Sequence, residues 1–150
     1  MYIRLLYLAF RIYTFIFSPI ITGVRVMLIQ DGQALLVRHT YLEGWYMPGG
    51  GVKRGESVDE AARRESREEV GAELGELHLL GVYSNFEGFK NNQNVLFLCA
   101  DFKASFQHDH EIAEVRFFPL TALPKNMPSG HRRRIEEYAA GVASPAFGRW

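Results

Sequence analysis

Residues 50–72 read GGVKRGESVDEAARRESREEVGA, and no other stretch restricts the fold as much. Ser57 has the chemistry of an N-cap, Glu60 stands three residues later as in a capping box, and Gly71 is suited to ending a helix in a left-handed turn. These signals predict a helix over roughly residues 58–70. On it Glu65, Glu68 and Glu69 stand at i, i+3 and i+4, so their carboxylates project from one face within about one turn. Carboxylates held so close repel one another, and burying them unpaired costs several kcal/mol, so they must be wet, protonated or bound to positive charge. A hard divalent cation, Mg2+ or Mn2+, is a natural occupant, because it takes oxygen ligands shared between carboxylates and substrate phosphates. The other face carries Val58, Ala62 and Val70, a thin apolar stripe able to dock on a sheet.

Before the helix, Trp45-Tyr46-Met47-Pro48-Gly49-Gly50-Gly51 forms a loop whose glycines permit close approach of backbone N–H groups to a phosphate. Read as a solvated charged helix face alone, Arg63, Arg64 and Arg67 would pair with nearby glutamates for a few tenths of a kcal/mol each. The register of loop, Glu56, acids and Gly71 argues for more. The whole run resembles the Nudix box, Gly-x5-Glu-x7-Arg-Glu-U-x-Glu-Glu-x-Gly-U, where U is bulky and apolar. Gly50, Glu56, Arg64, Glu65, Glu68, Glu69 and Gly71 fill its fixed positions. Ser66 and Ala72 depart from it at the two U positions, and Ser66 falls on the sheet-facing side, where it predicts looser docking.

The resemblance implies an α/β (α+β) Nudix fold, with mixed β-sheets sandwiched between α-helices. It also implies hydrolysis of a nucleoside diphosphate linked to another group, by attack of water on a phosphorus of the pyrophosphate. Glu65, Glu68 and Glu69 are the implied metal ligands, with Gly50 lending backbone near the metal. Glu56 and Arg64 form an implied ion pair bracing loop against helix. The general base is Glu65, Glu69 or an acid from a later loop. In the polar stretch 104–112 Glu111 is the leading candidate for that acid, followed by Glu114 and Asp109. Apart from nearby acids, nothing at metal-ligand spacing joins His108 and His110 into a site.

A chain of 150 residues with 47% hydrophobic and 13% aromatic residues can bury a core without cross-links. Its one cysteine, Cys99, excludes an internal disulfide and reads as a buried strand residue in a reducing, cytoplasmic setting. Zero formal net charge gives no reason to expect a nucleic-acid partner. Arg132, Arg133 and Arg134 precede Glu136 and Glu137 and read as a solvated, internally paired helix face. Strands are expected at 24–29 and 34–39, joined by the hairpin signal Asp31-Gly32, and at 77–85, 95–103 and 114–118. A closing helix is expected over 129–140, opened by Pro128-Ser129 and stopped by Gly141. No repeat or linker divides residues 23–150, read as one hydrolase domain.

Residues 1–22 form a separate N-terminal extension, an amphipathic helix on which Arg4, Tyr7, Arg11, Thr14 and Ser18 make one narrow polar stripe ending near Pro19. Arg11 in the middle argues against a membrane span, and no small-x-small cleavage site supports a signal peptide. The wide apolar face must be covered, by its own domain, by a second copy in a homodimer, or by a membrane interface with the arginines toward headgroups.

Substrate choice lies outside the box. Family members acting on ADP-ribose often carry a downstream proline where this chain has Glu87-Gly88. Those acting on dinucleoside polyphosphates often carry a tyrosine where it has Phe89-Lys90, and the NADH-type tag is absent. The run from Trp45 to Gly50 resembles small nucleoside triphosphate hydrolases. Tyr83, Asn85, Phe86, Phe89 and Asn91 offer stacking and amide contacts to a base, although Tyr83 also fits plain strand core. Arg38, Trp45, Gly49, Gly50, Tyr83 and Asn85 are the expected substrate contacts. A nucleoside triphosphate giving monophosphate and pyrophosphate is the leading substrate, with ADP-ribose or another nucleotide sugar as the alternative. A non-catalytic nucleotide-binding module, the other class, would go with lost box acids, and none is lost. RNA cap or 5'-triphosphate removal fits poorly with the absence of a broad basic surface.

Overall fold

The computed structural model describes residues 2–17, 20–86, 91–106 and 110–150. In chain order these form α1 (Tyr2–Phe17), β1 (Ile21–Gln30), β2 (Gln33–His39), α2 (Val58–Val70), β3 (Ala72–Leu74), β4 (His78–Asn85), β5 (Asn92–Cys99), β6 (Phe102–Ala104), β7 (Ile112–Pro119), α3 (Ser129–Ala139) and β8 (Ala146–Arg149). Six strands make a mixed sheet in the order β7-β2-β1-β5-β4-β8, and β3 pairs with β6 apart from it. Strand alternation divides the apolar residues between two cores. From β1, Val24, Val26 and Leu28 pack with Ala61, Ala62 and Val70 of α2 on one side. Met27 and Ile29 pack with Ile135 of α3 and Trp150 on the other.

The hairpin at Asp31-Gly32 pairs β1 with β2 only at Leu28, Ile29 and Gln30. Beyond that the two strands part, and the glycine loop lies between them. On one side Val26 N donates to Pro48 O (2.9 Å) and Val24 N to Gly50 O (2.9 Å). On the other, Val37 and Tyr46 exchange both backbone hydrogen bonds. The loop is thus held as an inserted strand would be, which satisfies backbone groups that parting would leave unpaired.

The expected single strand over 95–103 is two strands in different sheets. Cys99 Sγ donates to Asp101 O (3.1 Å) and Gly75 N donates to the same carbonyl (2.7 Å), so the chain turns there and Phe102–Ala104 leaves to pair with β3. Short β3 and β8 were not anticipated, being three and four residues with no alternating pattern. Cys99 is free and buried. The arginine run is paired, with Arg132–Glu136 at 3.5 Å and Arg134–Glu137 at 2.8 Å. It is not a solvated face, however: Arg134 is 6% exposed and its guanidinium lies 4.2 Å above the Tyr83 ring. Its long stem follows the apolar surface between helix and sheet.

Ser66 is fully buried against the first core, and its Oγ has no hydrogen-bond partner. α1 touches the domain through Tyr7, whose ring lies 5.6 Å from that of Tyr41. Of the three possible covers for the apolar face, its own domain leaves much of it open: Leu5, Ile12 and Ile16 are 65%, 53% and 63% exposed. Thr14, Ser18 and Pro19 fall outside what is described of this segment.

Candidate active site

The box helix carries the caps its sequence calls for. Ser57 Oγ accepts from Glu60 N while Glu60 Oε2 accepts from Ser57 N (2.8 Å), and Gly71 closes the helix at φ 61° with its N–H bonded to Arg67 O. Ala61, Ala62, Ser66 and Val70 face the sheet, which turns Glu65 and Glu69 toward the glycine loop. Gly49 there admits no substitute, because a side chain would meet backbone, whereas one at Gly50 would push the Glu65 carboxylate aside. A Cβ at Gly49 (φ 144°) would lie 2.1 Å from Val24 O, and one at Gly50 would lie 2.5 Å from Glu65 Oε1.

Arg64 ties the site together. Its Nε and Nη2 fork onto Glu56 (2.7 and 2.9 Å), Nη2 also reaches Gly51 O (3.0 Å), and Nη1 bonds Glu65 Oε1 (2.6 Å) and Glu68 Oε2 (3.1 Å). Glu56 further accepts from Lys53 N (2.9 Å). The Arg64 hydrogen bonds, with the Lys53 N–H behind them, hold the Glu56 carboxyl down at about 2. The planar fork makes this a directional brace between loop and helix.

Glu69 is the enclosed acid. Its Oε2 accepts from Gly49 N (2.9 Å) and its Oε1 lies 3.9 Å from His39 Nε2. Burial pushes its pKa up to about 8, against the opposing pull of the Gly49 N–H and of Arg25. Arg25, half-buried, donates from Nη1 to Gly49 O. Burial lowers its pKa while Glu69 and Glu65 pull it back up. Burial, and then the Arg25 charge, lowers His39 to about 4, so this imidazole is neutral and its Nδ1 is unpartnered. Tyr41 is raised to about 12, by burial first and then by Glu111.

These groups line one cleft of about 480 Å3. Gly49, Gly50, Gly51, Glu65 and Glu69 form one wall, and Glu111 stands at the exposed rim. Arg25, His39, Tyr41 and Tyr46 line the same cleft. Asn85, Asn92, Asn94, His131 and Trp150 complete the lining, and Asn94 and the Gly50 carbonyl both flank Gly23. Asn85 and Asn92 are register partners across β4 and β5, which sets their amides side by side.

Several expected contacts lie elsewhere. Trp45 is 6% exposed in the second core, edge-on to Phe118 at 4.7 Å, and Tyr83 is 4% exposed beneath Trp150 and Arg134. Neither lines the cleft, because both rings fill the apolar space under α3. Arg38 bonds Glu114 on the neighbouring strand (Nη2 to Oε2, 3.0 Å), and Arg116 bonds the same carboxylate. The pairing across β2 and β7 occupies Arg38 and Glu114 outside the cleft, and the adjacent His39 reaches the cleft instead. Glu68 is half-exposed, bonded to Arg64 with Lys53 Nζ 3.9 Å away. Glu87, Gly88, Phe89, Lys90, His108 and Asp109 lie outside the described residues.

Arg25, His39, Tyr41, Asn92, Asn94 and His131 were missed as site residues. A charge between Val24 and Val26, and amides at alternate positions ahead of Leu96 and Leu98, were the available signals.

Glu65, Glu68, Glu69 and the Gly50 carbonyl offer an all-oxygen donor set, and bare Gly50 leaves free the space beside Glu65 that a Cβ would fill. That set suits a hard divalent cation. As the side chains lie, Arg64 holds Glu65 and Glu68, and no three acids, histidines or cysteines converge as a ligand cluster among the described residues.

Comparison with known proteins agrees with this construction. The chain is 30% identical over 117 residues to a Bacillus subtilis protein provisionally named an 8-oxo-dGTP diphosphatase, covering 78% of each. It is 31% identical over 114 residues to an ADP-ribose pyrophosphatase of Methanocaldococcus jannaschii, covering 73% of this chain and 67% of that one. A shorter match, 41% over 51 residues and about a third of each chain, is to an RNA pyrophosphohydrolase of Pseudomonas paraeruginosa. The fold is that of a MutT Nudix hydrolase from Burkholderia pseudomallei, with a TM-score of 0.72 at 24% identity over 79% of this chain and 97% of that one. With the NUDIX domain model matching residues 19–138 and every fixed box position filled, the chain belongs to the Nudix family of pyrophosphohydrolases, hydrolases of small nucleotides that generally use divalent metal ions.

Proposed function

We propose that the protein hydrolyses a nucleoside triphosphate to monophosphate and pyrophosphate, with Mg2+ or Mn2+ held by Glu65, Glu68, Glu69 and the Gly50 carbonyl. The observation that carries this reading is the meeting in one cleft of glycine-lined acids, Glu65 and Glu69, with the uncharged amides of Asn85, Asn92 and Asn94. The first suits a metal-bound polyphosphate and the second suits the hydrogen-bonding edge of a base. When bound, the cation neutralises phosphate oxygens and lowers the pKa of a coordinated water.

The chain's own groups do the rest. Arg64, fixed by Glu56, holds Glu65 and Glu68 in place, and a cation held by those two carboxylates would share them with its Nη1. Glu69 must give up its proton before it serves as ligand or base, and Arg25 stabilises the anion left behind. Glu111 at the rim is the further acid able to take a proton from the attacking water.

ADP-ribose is the second reading, favoured by the Methanocaldococcus relative. Incubation with each metal and a panel of nucleoside triphosphates, ADP-ribose, NADH, dinucleoside polyphosphates and 5'-triphosphate RNA ranks these substrates by product release. Fastest release of pyrophosphate from a nucleoside triphosphate is expected. Preference for ADP-ribose would transfer the assignment, and tight binding without any turnover would make the protein a nucleotide-binding module.

A further inference from the structure

We propose that α1 is an interfacial anchor, which seats the apolar face it turns away from the domain in an anionic phospholipid bilayer. The helix meets its domain along the side that carries Tyr7, and Tyr7 and Phe10 line the cleft. The remaining circumference is apolar and wet: Leu5 65%, Leu6 51%, Leu8 51%, Ile12 53%, Tyr13 50%, Phe15 62%, Ile16 63% and Phe17 66% exposed. At 3.6 residues per turn these positions sweep an arc of roughly 200°. A soluble helix hides such an arc against its own core. Here the orientation is reversed.

The breadth of the arc selects the occupant. A second copy laid helix against helix covers a seam of about two residues in seven and leaves the flanks in water. A bilayer interface wets the whole arc at once. Charge points the same way. Residues 1–30 contain Arg4, Arg11 and Arg25 and no acid, and Arg4 and Arg11, seven apart, border the arc on one edge. Arginines in that position meet lipid phosphates as the face sinks. The described helices include none long and apolar enough to cross a membrane, so α1 lies along the surface. With Tyr7 and Phe10 in the cleft wall, docking places the mouth of the active site beside the lipid headgroups.

Sedimentation of the full chain with vesicles of phosphatidylcholine, alone or mixed with phosphatidylglycerol, tests this. The protein should pellet with the mixed vesicles, less with phosphatidylcholine alone, and less again at high salt. Ile12→Glu with Ile16→Glu should keep it in the supernatant while hydrolysis of a soluble nucleotide stays at the wild-type rate. Arg4→Gln and Arg11→Gln should each weaken binding to the anionic vesicles about fivefold and leave phosphatidylcholine binding unchanged. Wild-type protein that stays in solution with both vesicles overturns the proposal. So does pelleting that Ile12→Glu with Ile16→Glu does not diminish. A vesicle-free dimer that the same double variant dissociates, without lipid binding, assigns the face to a second copy instead.

Discussion

Glu69 concentrates the chemistry of the site in one side chain. Glu69→Gln keeps the volume and can still accept the Gly49 N–H, so it should melt with the wild type below pH 4.5, where both side chains are neutral, and lower kcat at least 100-fold. Stopped turnover assays beside thermal melts check both parts. On the proposed assignment of Glu69 as a ligand, the same carboxyl should make metal binding pH-dependent. Its folded pKa of about 8 exceeds the ordinary 4.5, so between those values the metal-free fold holds a proton that the unfolded chain has released. The stability this contributes is complete below 4.5 and is lost as pH rises through about 8. Metal-free protein in chelator should therefore melt lower as pH rises across that window, while Mg2+ affinity by calorimetry should rise, with proton release on binding. Of the residues involved, the box acids and Arg64 are legible in the sequence because their spacing is local to one helix. Arg25, His39 and the asparagines are not, because sheet pairing alone gathers them, and Trp45 and Tyr83 misled because an aromatic side chain suits a core as well as a base.

At the scale of elements, α2 shows how far local signals reach. Its caps, ends and acid-bearing face follow from Ser57, Glu60 and Gly71, each of which acts within one turn of itself. The docked face carries one defect, the buried and unpartnered hydroxyl of Ser66. Ser66→Ala removes that group and improves helix propensity, so it should stabilise the fold by about 1 kcal/mol. Chemical denaturation reads this directly, and a loss of stability would mean that the hydroxyl is bonded in solution. Elements without local punctuation were harder to read. β5 and β6 look like one apolar run, and only the Asp101 carbonyl, shared by Gly75 and Cys99, separates them.

Across the whole molecule, the last residue links sheet, helix and cleft. Trp150 is 7% exposed, packs on Tyr83 and His131, and fills the space over Gly130, where a Cβ would meet its ring at 2.1 Å. Trp150→Ala should cost about 3 kcal/mol by denaturation and raise KM, since Trp150 also lines the cleft. A change in KM without loss of stability would remove its structural role. The box helix with its caps, the acids on one face, the first hairpin and the apolar arc of α1 were legible in the chain alone, all properties of residues within a turn or two of one another, while the Glu56–Arg64 brace followed from the family resemblance. The tertiary structure decided what distance along the chain conceals. It set β1 parallel to β5, held the glycine loop between β1 and β2, and brought Asn85, Asn92 and Asn94 into one cleft with Glu65 and Glu69. Strand order and register are fixed by the burial of two cores at once, a global condition that no short window of sequence expresses.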